Sequence, residues 1–148
     1  MGAVDTAHGL SDLDVMALTL WGEARGESLD GKAVVAWVIT NRAHRRHQSI
    51  KDICLAKAQF SCWWRVGGVA NYEALSILAA QINQRTDPLL EECRWVAEGV
   101  LKGVIWDRTH GSDHYVTTAL YQEAPPSWVK AMTEAAIVGH HTFLRSRA

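Results

Sequence analysis

Two carboxylates sit where an apolar stripe should continue. Leu13, Met16, Leu20, Glu23 and Glu27 recur at intervals of three and four, a spacing that puts them on one face of a helix. A carboxylate at the edge of a buried face is costly unless it is paired, solvated in a cleft or protonated. Two carboxylates one helical turn apart repel, which raises the pKa of at least one, and an apolar neighbour such as Trp21 or Trp63 would raise it further. A carboxyl group kept protonated near neutral pH can serve as a general acid. Cleavage of a glycosidic bond needs such a proton, delivered to the leaving oxygen. The plainer alternative is a solvated Glu or a partner for Arg25 or Arg42. Gly22 and Gly26 flank the position and would let a ligand approach the helix closely.

Other groups compete for attention. His110 and His114 stand four apart, with His140 and His141 further on. Converging, they would suggest a zinc site and a metal-dependent amidase, although Gly111-Ser112-Asp113 is a poor helix and hydrogen-bonded or exposed imidazoles are the simpler expectation. Cys62, inside the aromatic stretch Gln59 to Gly68, is the best candidate for a Cys–His nucleophile. The three cysteines, Cys54, Cys62 and Cys93, are an odd number without a CxxC, so reduced buried thiols are expected; a Cys54–Cys62 bridge stays open. His44-Arg45-Arg46-His47 is a basic patch that complements a helix C-terminus. No phosphate-binding glycine loop and no GxSxG occurs. Seven Trp against two Phe is an unusual ratio. Trp wants a partner for its N–H, so it suits a wall that stacks on sugars better than plain core filling.

The elements that must position these groups read as mostly helical. Ser11 and Asp14 resemble a capping box ahead of a helix with one apolar stripe. A second helix is expected from about Leu29 to His47, apolar all round at Ala33–Ile39, as a central helix would be. Ser49 and Asp52 predict a short helix through Leu55. Gly67-Gly68 predicts a turn, and Asn71 a cap for a fourth helix. Asp87-Pro88 predicts a fifth, stopping at Gly103. From Val104 to Tyr121, β-branched and aromatic residues flank Thr109-His110-Gly111-Ser112 and suggest a small hairpin. Pro125-Pro126-Ser127 predicts a last helix, Trp128 to Val138, ended by Gly139.

With 148 residues, 48% of them hydrophobic and 21% charged, the chain fits a single domain with a real core. A formal charge of −1 does not build the positive field that nucleic acid requires. No apolar run is long enough to span a membrane. Residues 1–11 lack the basic and apolar regions of a secretory signal, and residues 1–10 are expected as a short N-terminal extension.

The blocks, taken in order, resemble the SleB/CwlJ family of cell wall hydrolases. Trp21-Gly22-Glu23-Ala24-Arg25-Gly26-Glu27 is similar to the family's GEARGE block, and the following helix ends in its Asn41-Arg42 pair. Gln59-Phe60-Ser61 with Trp63 resembles its QFS–W segment. Asp107 through Gly111 to Tyr115 resembles its D-x-T-x-G-x-x-x-Y hairpin, and Pro126-Ser127-Trp128 and Val138-Gly139-His140-His141-Thr142-Phe143 resemble its closing segments. The likeness runs from about residue 13 to 144. Asp113 and Val116 depart from the family's usual residues.

The resemblance implies a mainly α, lysozyme-like, lytic-transglycosylase-like single catalytic domain with a small β-hairpin. It would cleave peptidoglycan at the MurNAc-β-1,4-GlcNAc bond as a lytic transglycosylase or muramidase, with Glu23 as the acid. Gln59, Ser61, Trp63, Asp113, His114 and Tyr115 would line the glycan groove. Asp113 is also the candidate second carboxylate reaching across it. No metal and no cofactor is implied, the partner is the glycan strand, and a monomer is expected. A lone domain without an export signal suggests a phage or prophage endolysin, made in the bacterial cytoplasm and acting on the wall. The alternatives are the metal-dependent amidase and a non-catalytic glycan-binding module of a phage particle.

Overall fold

Helix caps set the architecture. In the computed structural model, which describes residues 2–57, 59–65 and 68–147, Ser11 accepts from the Asp14 amide and opens α2 (Asp12–Ala24). Ser28 does the same for α3 (Leu29–Arg46) and Ser49 for α4 (Ile50–Leu55). Asp87 caps α6 (Pro88–Leu101), with Pro88 in its first turn. Each cap satisfies one of the amides that a helix start leaves without an intrahelical partner. α5 (Val69–Ala80) begins three residues earlier than a cap at Asn71 predicts, directly after Gly68, whose φ of +112° suits glycine. Asn71 lies inside that helix, where its side chain accepts from Arg25. The other half of the expected turn, Gly67, lies outside the described residues. Residues expected only as an N-terminal extension contain α1 (Ala3–His8), which buries Ala3 and Ala7 in the common core.

The central helix is α2 rather than α3. Every residue from Val15 to Trp21 is buried, so the helix is covered on all sides and not along one stripe. It packs most extensively on α6, and also touches α3, α4 and α5. An ion pair between Arg94 on α6 and Asp14 ties its first turn down. Its far end is held by Lys32, a buried lysine whose Nζ donates to the carbonyls of Glu27 (2.6 Å) and Arg25 (3.1 Å). A cation on the free carbonyls where a helix ends satisfies them and opposes the negative end of the dipole. The last turns of α2, which carry Glu23, are thereby rigidly placed.

The β part differs from expectation. The segment expected as a terminal helix is a 3-10 turn (Ser127–Ala131) followed by strand β2 (Met132–Val138). Gly139, at φ +57°, turns the chain into β3 (His141–Ser146). The hairpin is therefore β2–β3. β1 (His114–Thr117) joins the other side of β3, antiparallel, to give the order β1-β3-β2. Val104 and Trp106, expected in a first hairpin arm, are exposed at 74% and 82% and lie outside the strands. A short helix, α7 (Thr118–Glu123), follows β1. The middle of β3, Thr142-Phe143-Leu144, is buried on both faces of the sheet, and Phe143 joins the helical core.

Candidate active site

Glu23 stands in the last turn of α2, half-buried, where the helical body meets the sheet. The 3-10 turn Ser61–Trp63 folds over it. The Cys62 N–H donates to Oε1 at 3.4 Å, and the Cys62 thiol and Ser61 amide also face the carboxyl. Burial pushes the Glu23 pKa above its ordinary value, against the opposing pull of those donors. Among the described residues no cation forms an ion pair with it. Arg25 instead donates to the Trp21 carbonyl and Asn71 and stacks on Trp21.

Glu27 does not share this face. α2 ends at Ala24, so the chain has turned before Glu27, which instead meets the tip of the β2–β3 hairpin. Its Oε1 lies 3.0 Å from His141 Nδ1 and its Oε2 3.5 Å from His140 Nδ1. Repulsion between neighbouring carboxylates is therefore not what raises Glu23; desolvation is. Gly22 also has a different role from the one expected. A Cβ there would come within 2.4 Å of Cys62 Cβ and 2.6 Å of its sulfur. The missing side chain admits the protein's own turn, not a ligand.

One arginine carries the opposite side. Arg42 on α3 is buried and donates from Nε and Nη2 to the Asp113 carbonyl (3.0 and 2.9 Å) and from Nη1 to Gln59 Oε1 (3.3 Å). It therefore holds the 59–63 segment and the start of β1 together. Asn41, its neighbour, donates to Asp107 and to the Ser112 carbonyl. Asp107 in turn accepts from Thr109 N, Thr109 Oγ1 and Gly111 N, which sets the loop leading to β1. Burial opposes the Asp107 charge, yet these donors hold its pKa below the ordinary value.

The expected groove residues separate into two sets. Ser61, exposed, and Tyr115 are brought to Glu23. Tyr115 packs edge-on against His141 (5.2 Å between ring centres), and its phenol is pushed up by burial and by the charge of Glu23. Gln59 is exposed beside them through Arg42. The rest are placed otherwise. Trp63 is fully buried, its Nε1–H donating to Thr19 Oγ1 at 2.9 Å; it is core and offers no face to a sugar. Asp113 is 3% exposed, and both its oxygens are occupied by Ser146 N (2.9 Å), Ser146 Oγ (2.6 Å), His114 Nδ1 (3.1 Å) and Arg45 Nε (3.4 Å). The idea of a second carboxylate reaching towards Glu23 is corrected by this: the side chain is turned into the protein and spent on holding it. His114 follows Asp113 and, by strand alternation, points to the face opposite Tyr115, where its ring meets Trp128 at 5.3 Å. Trp128 is 38% exposed; sequence reading placed it in a helix and so missed this aromatic pair.

The histidines of the amidase reading do not converge, since His114 is held by Asp113 while His140 and His141 face Glu27. Among the described residues no cluster of three His, Cys, Asp or Glu side chains could hold a metal ion. All three cysteines are free and buried. Burial pushes the Cys62 thiol far up, with Glu23 beside it adding to the effect, which removes the thiolate that a nucleophile needs.

The family model described as cell wall hydrolase matches residues 26–144, most of the chain. The chain belongs to that family. The hydrolase is accordingly an enzyme that acts on the cell wall. The matched stretch opens three residues after Glu23, so the acid assignment rests on the geometry above and on the GEARGE resemblance. The fold is similar to the catalytic domain of the germination-specific lytic transglycosylase SleB from Bacillus anthracis, with a TM-score of 0.64 and 22% identity over 93% of this chain and 98% of that one. It is similar to the same degree to the catalytic domain of the Bacillus cereus SleB protein, again over 93% of this chain and 93% of the other. No curated protein sequence matches. No described helix of the hydrolase is long and apolar enough to cross a membrane.

Proposed function

We propose that Glu23 is the single general acid and base of a lytic transglycosylase that cleaves the MurNAc-β-1,4-GlcNAc bond. The observation that carries this is a half-buried carboxyl with a raised pKa and no cationic partner among the described residues. Glu23, protonated, gives its proton to the bridging oxygen as the bond from that oxygen to the MurNAc anomeric carbon breaks. An oxocarbenium-like centre remains at that carbon.

The second step decides the product. Hydrolysis by the usual carboxylate pair needs a second acid at a set distance across the sugar. Glu27 is engaged by two histidines and Asp113 by Ser146, His114 and Arg45. That supports attack by the substrate's own MurNAc 6-hydroxyl. Its oxygen bonds to the anomeric carbon, its proton passes to the Glu23 carboxylate, and a 1,6-anhydro ring closes without water. Ser61, Gln59 and Tyr115 would contact the glycan beside Glu23.

Purified peptidoglycan digested with the hydrolase, with mass spectrometry of the released muropeptides, tests this. Products lighter by one water than reducing-end muropeptides are expected. Reducing ends would mean hydrolysis, and new free amino termini an amidase. Glu23→Gln is expected to lose about 10²–10⁴-fold in turnover, the usual worth of a general acid. Equal clearing of peptidoglycan by both forms would remove Glu23 from the chemistry; no clearing by either would point to a glycan-binding module.

A further inference from the structure

The Ser61–Trp63 turn is latched to α2 at two successive levels. At the lower level the buried Trp63 indole donates to Thr19 Oγ1 at 2.9 Å, while the Thr19 hydroxyl donates to the Val15 carbonyl at 2.7 Å. Thr19 is fully buried and lies one helical turn before Glu23. At the upper level Cys62 fills the space left by Gly22 so closely that even a methyl group there would overlap it. Just beyond the upper level the Cys62 N–H reaches Oε1 of Glu23.

We propose that this latch is the positioning device for the acid, with Thr19 and Gly22 as positioning residues acting through the turn. The inference rests on Glu23 being the acid. The turn engages one carboxyl oxygen as an acceptor, which leaves the transferable proton on Oε2. It also covers the carboxyl from water. The proton that must reach the bridging oxygen is thus held on one atom, in one orientation, and a displacement of about 1 Å at such a group can cost up to 10²-fold in rate.

The test compares Thr19→Val, Thr19→Ser and Gly22→Ala with the parent and with Glu23→Gln on soluble, uncross-linked glycan strands. Turnover, KM, the pH profile and thermal melting are measured for each. Thr19→Val keeps the shape and removes the acceptor for Trp63. It is expected to lower kcat about tenfold with KM within about twofold. The turn covers Glu23 more than it donates to it, so loosening it returns the carboxyl towards its ordinary range. The alkaline limb of the profile then moves to lower pH. Thr19→Ser retains the hydroxyl and is expected to restore both rate and limb. Gly22→Ala, if it folds, displaces the turn directly and exceeds Thr19→Val in both effects. A merely structural latch would lower the melting temperature of Thr19→Val and leave kcat and the limb of the folded fraction at parental values; that result overturns the proposal. So would Thr19→Ser as slow as Thr19→Val. An active Glu23→Gln instead refutes the acid assignment itself, whatever the latch variants do.

Discussion

Replacing Asp113 by Asn separates a structural carboxylate from a catalytic one. Asp113 receives hydrogen bonds from Ser146 N, Ser146 Oγ and His114 and an ion pair from Arg45, with its side chain only 5% exposed. Asn keeps one acceptor oxygen but presents an amide N–H₂ where a donor already points inward. Hydrogen bonds to a charged group contribute about 1.5–3 kcal/mol each, and orphaning a buried donor costs about 1–3 kcal/mol. Losing one bond and crowding another therefore places the cost at about 2–4 kcal/mol. For a chain of this size that lowers the melting temperature by about 4–16 °C. The pH dependence carries a second signature. Burial opposes the charge, but the Ser146 and His114 donors outweigh it and hold the folded-state pKa of Asp113 below its ordinary 3.8. A depressed carboxylate pKa contributes stability above the unfolded value and loses it as pH falls through the folded one. The gap between parent and variant should thus be full at neutral pH and narrow below about pH 4. Calorimetric melting across pH 3–7, with peptidoglycan clearing measured well below both melting temperatures, checks both. Parental melting with clearing reduced a hundredfold would refute the reasoning and return Asp113 to the chemistry.

Glu23 has the opposite sign. Its pKa is raised in the folded state, so stability is lost as pH rises from the ordinary glutamate range through that value; Glu23→Gln should melt above the parent at neutral pH. By the same shift, turnover should fall as pH rises past a point above the ordinary glutamate value, seen in a kcat/KM profile. Trp63→Phe fills most of the buried site but leaves the Thr19 hydroxyl without its donor, and an unfolding free energy lower by about 1–3 kcal/mol is expected in denaturant titration. Burial pushes the Cys54 and Cys93 thiols up to about 12 and Cys62 further; a thiol-titrating disulfide reagent should find none of the three in the native protein and all three after denaturation. Rapid native labelling of Cys62 with loss of activity would revive the nucleophile reading.

Local signals in the chain that are strong in physical terms were readable. Ser11, Ser49 and Asp87-Pro88 announce helix starts because a side-chain acceptor beside free amides acts within a few residues. Glu23 was conspicuous because a charge interrupts an apolar stripe. What escaped reading depends on partners distant in sequence. Met132–Val138 follows the helix-start signal Pro125-Pro126-Ser127 and so looks helical, yet it becomes a strand because β3 lies beside it, one tight glycine turn away. The 3.6-residue pattern cannot report that pairing. Glu27 seemed to share a face with Glu23 only if α2 continued past Ala24; Lys32, drawn onto the carbonyls of Arg25 and Glu27, secures the end there. Trp63 looked like a sugar platform because its buried acceptor, Thr19, lies 44 positions away. Asp113 kept its apparent reach because Ser146, which occupies its oxygens, is 33 residues on.

Arg42 fastens the 59–63 segment and the entrance of β1 with different edges of one flat, forked group. A lysine there would bring a single ammonium, able to grip one bank or the other. The separation of the two segments that flank Glu23 is therefore set by one side chain, and a change at that position would be felt on both.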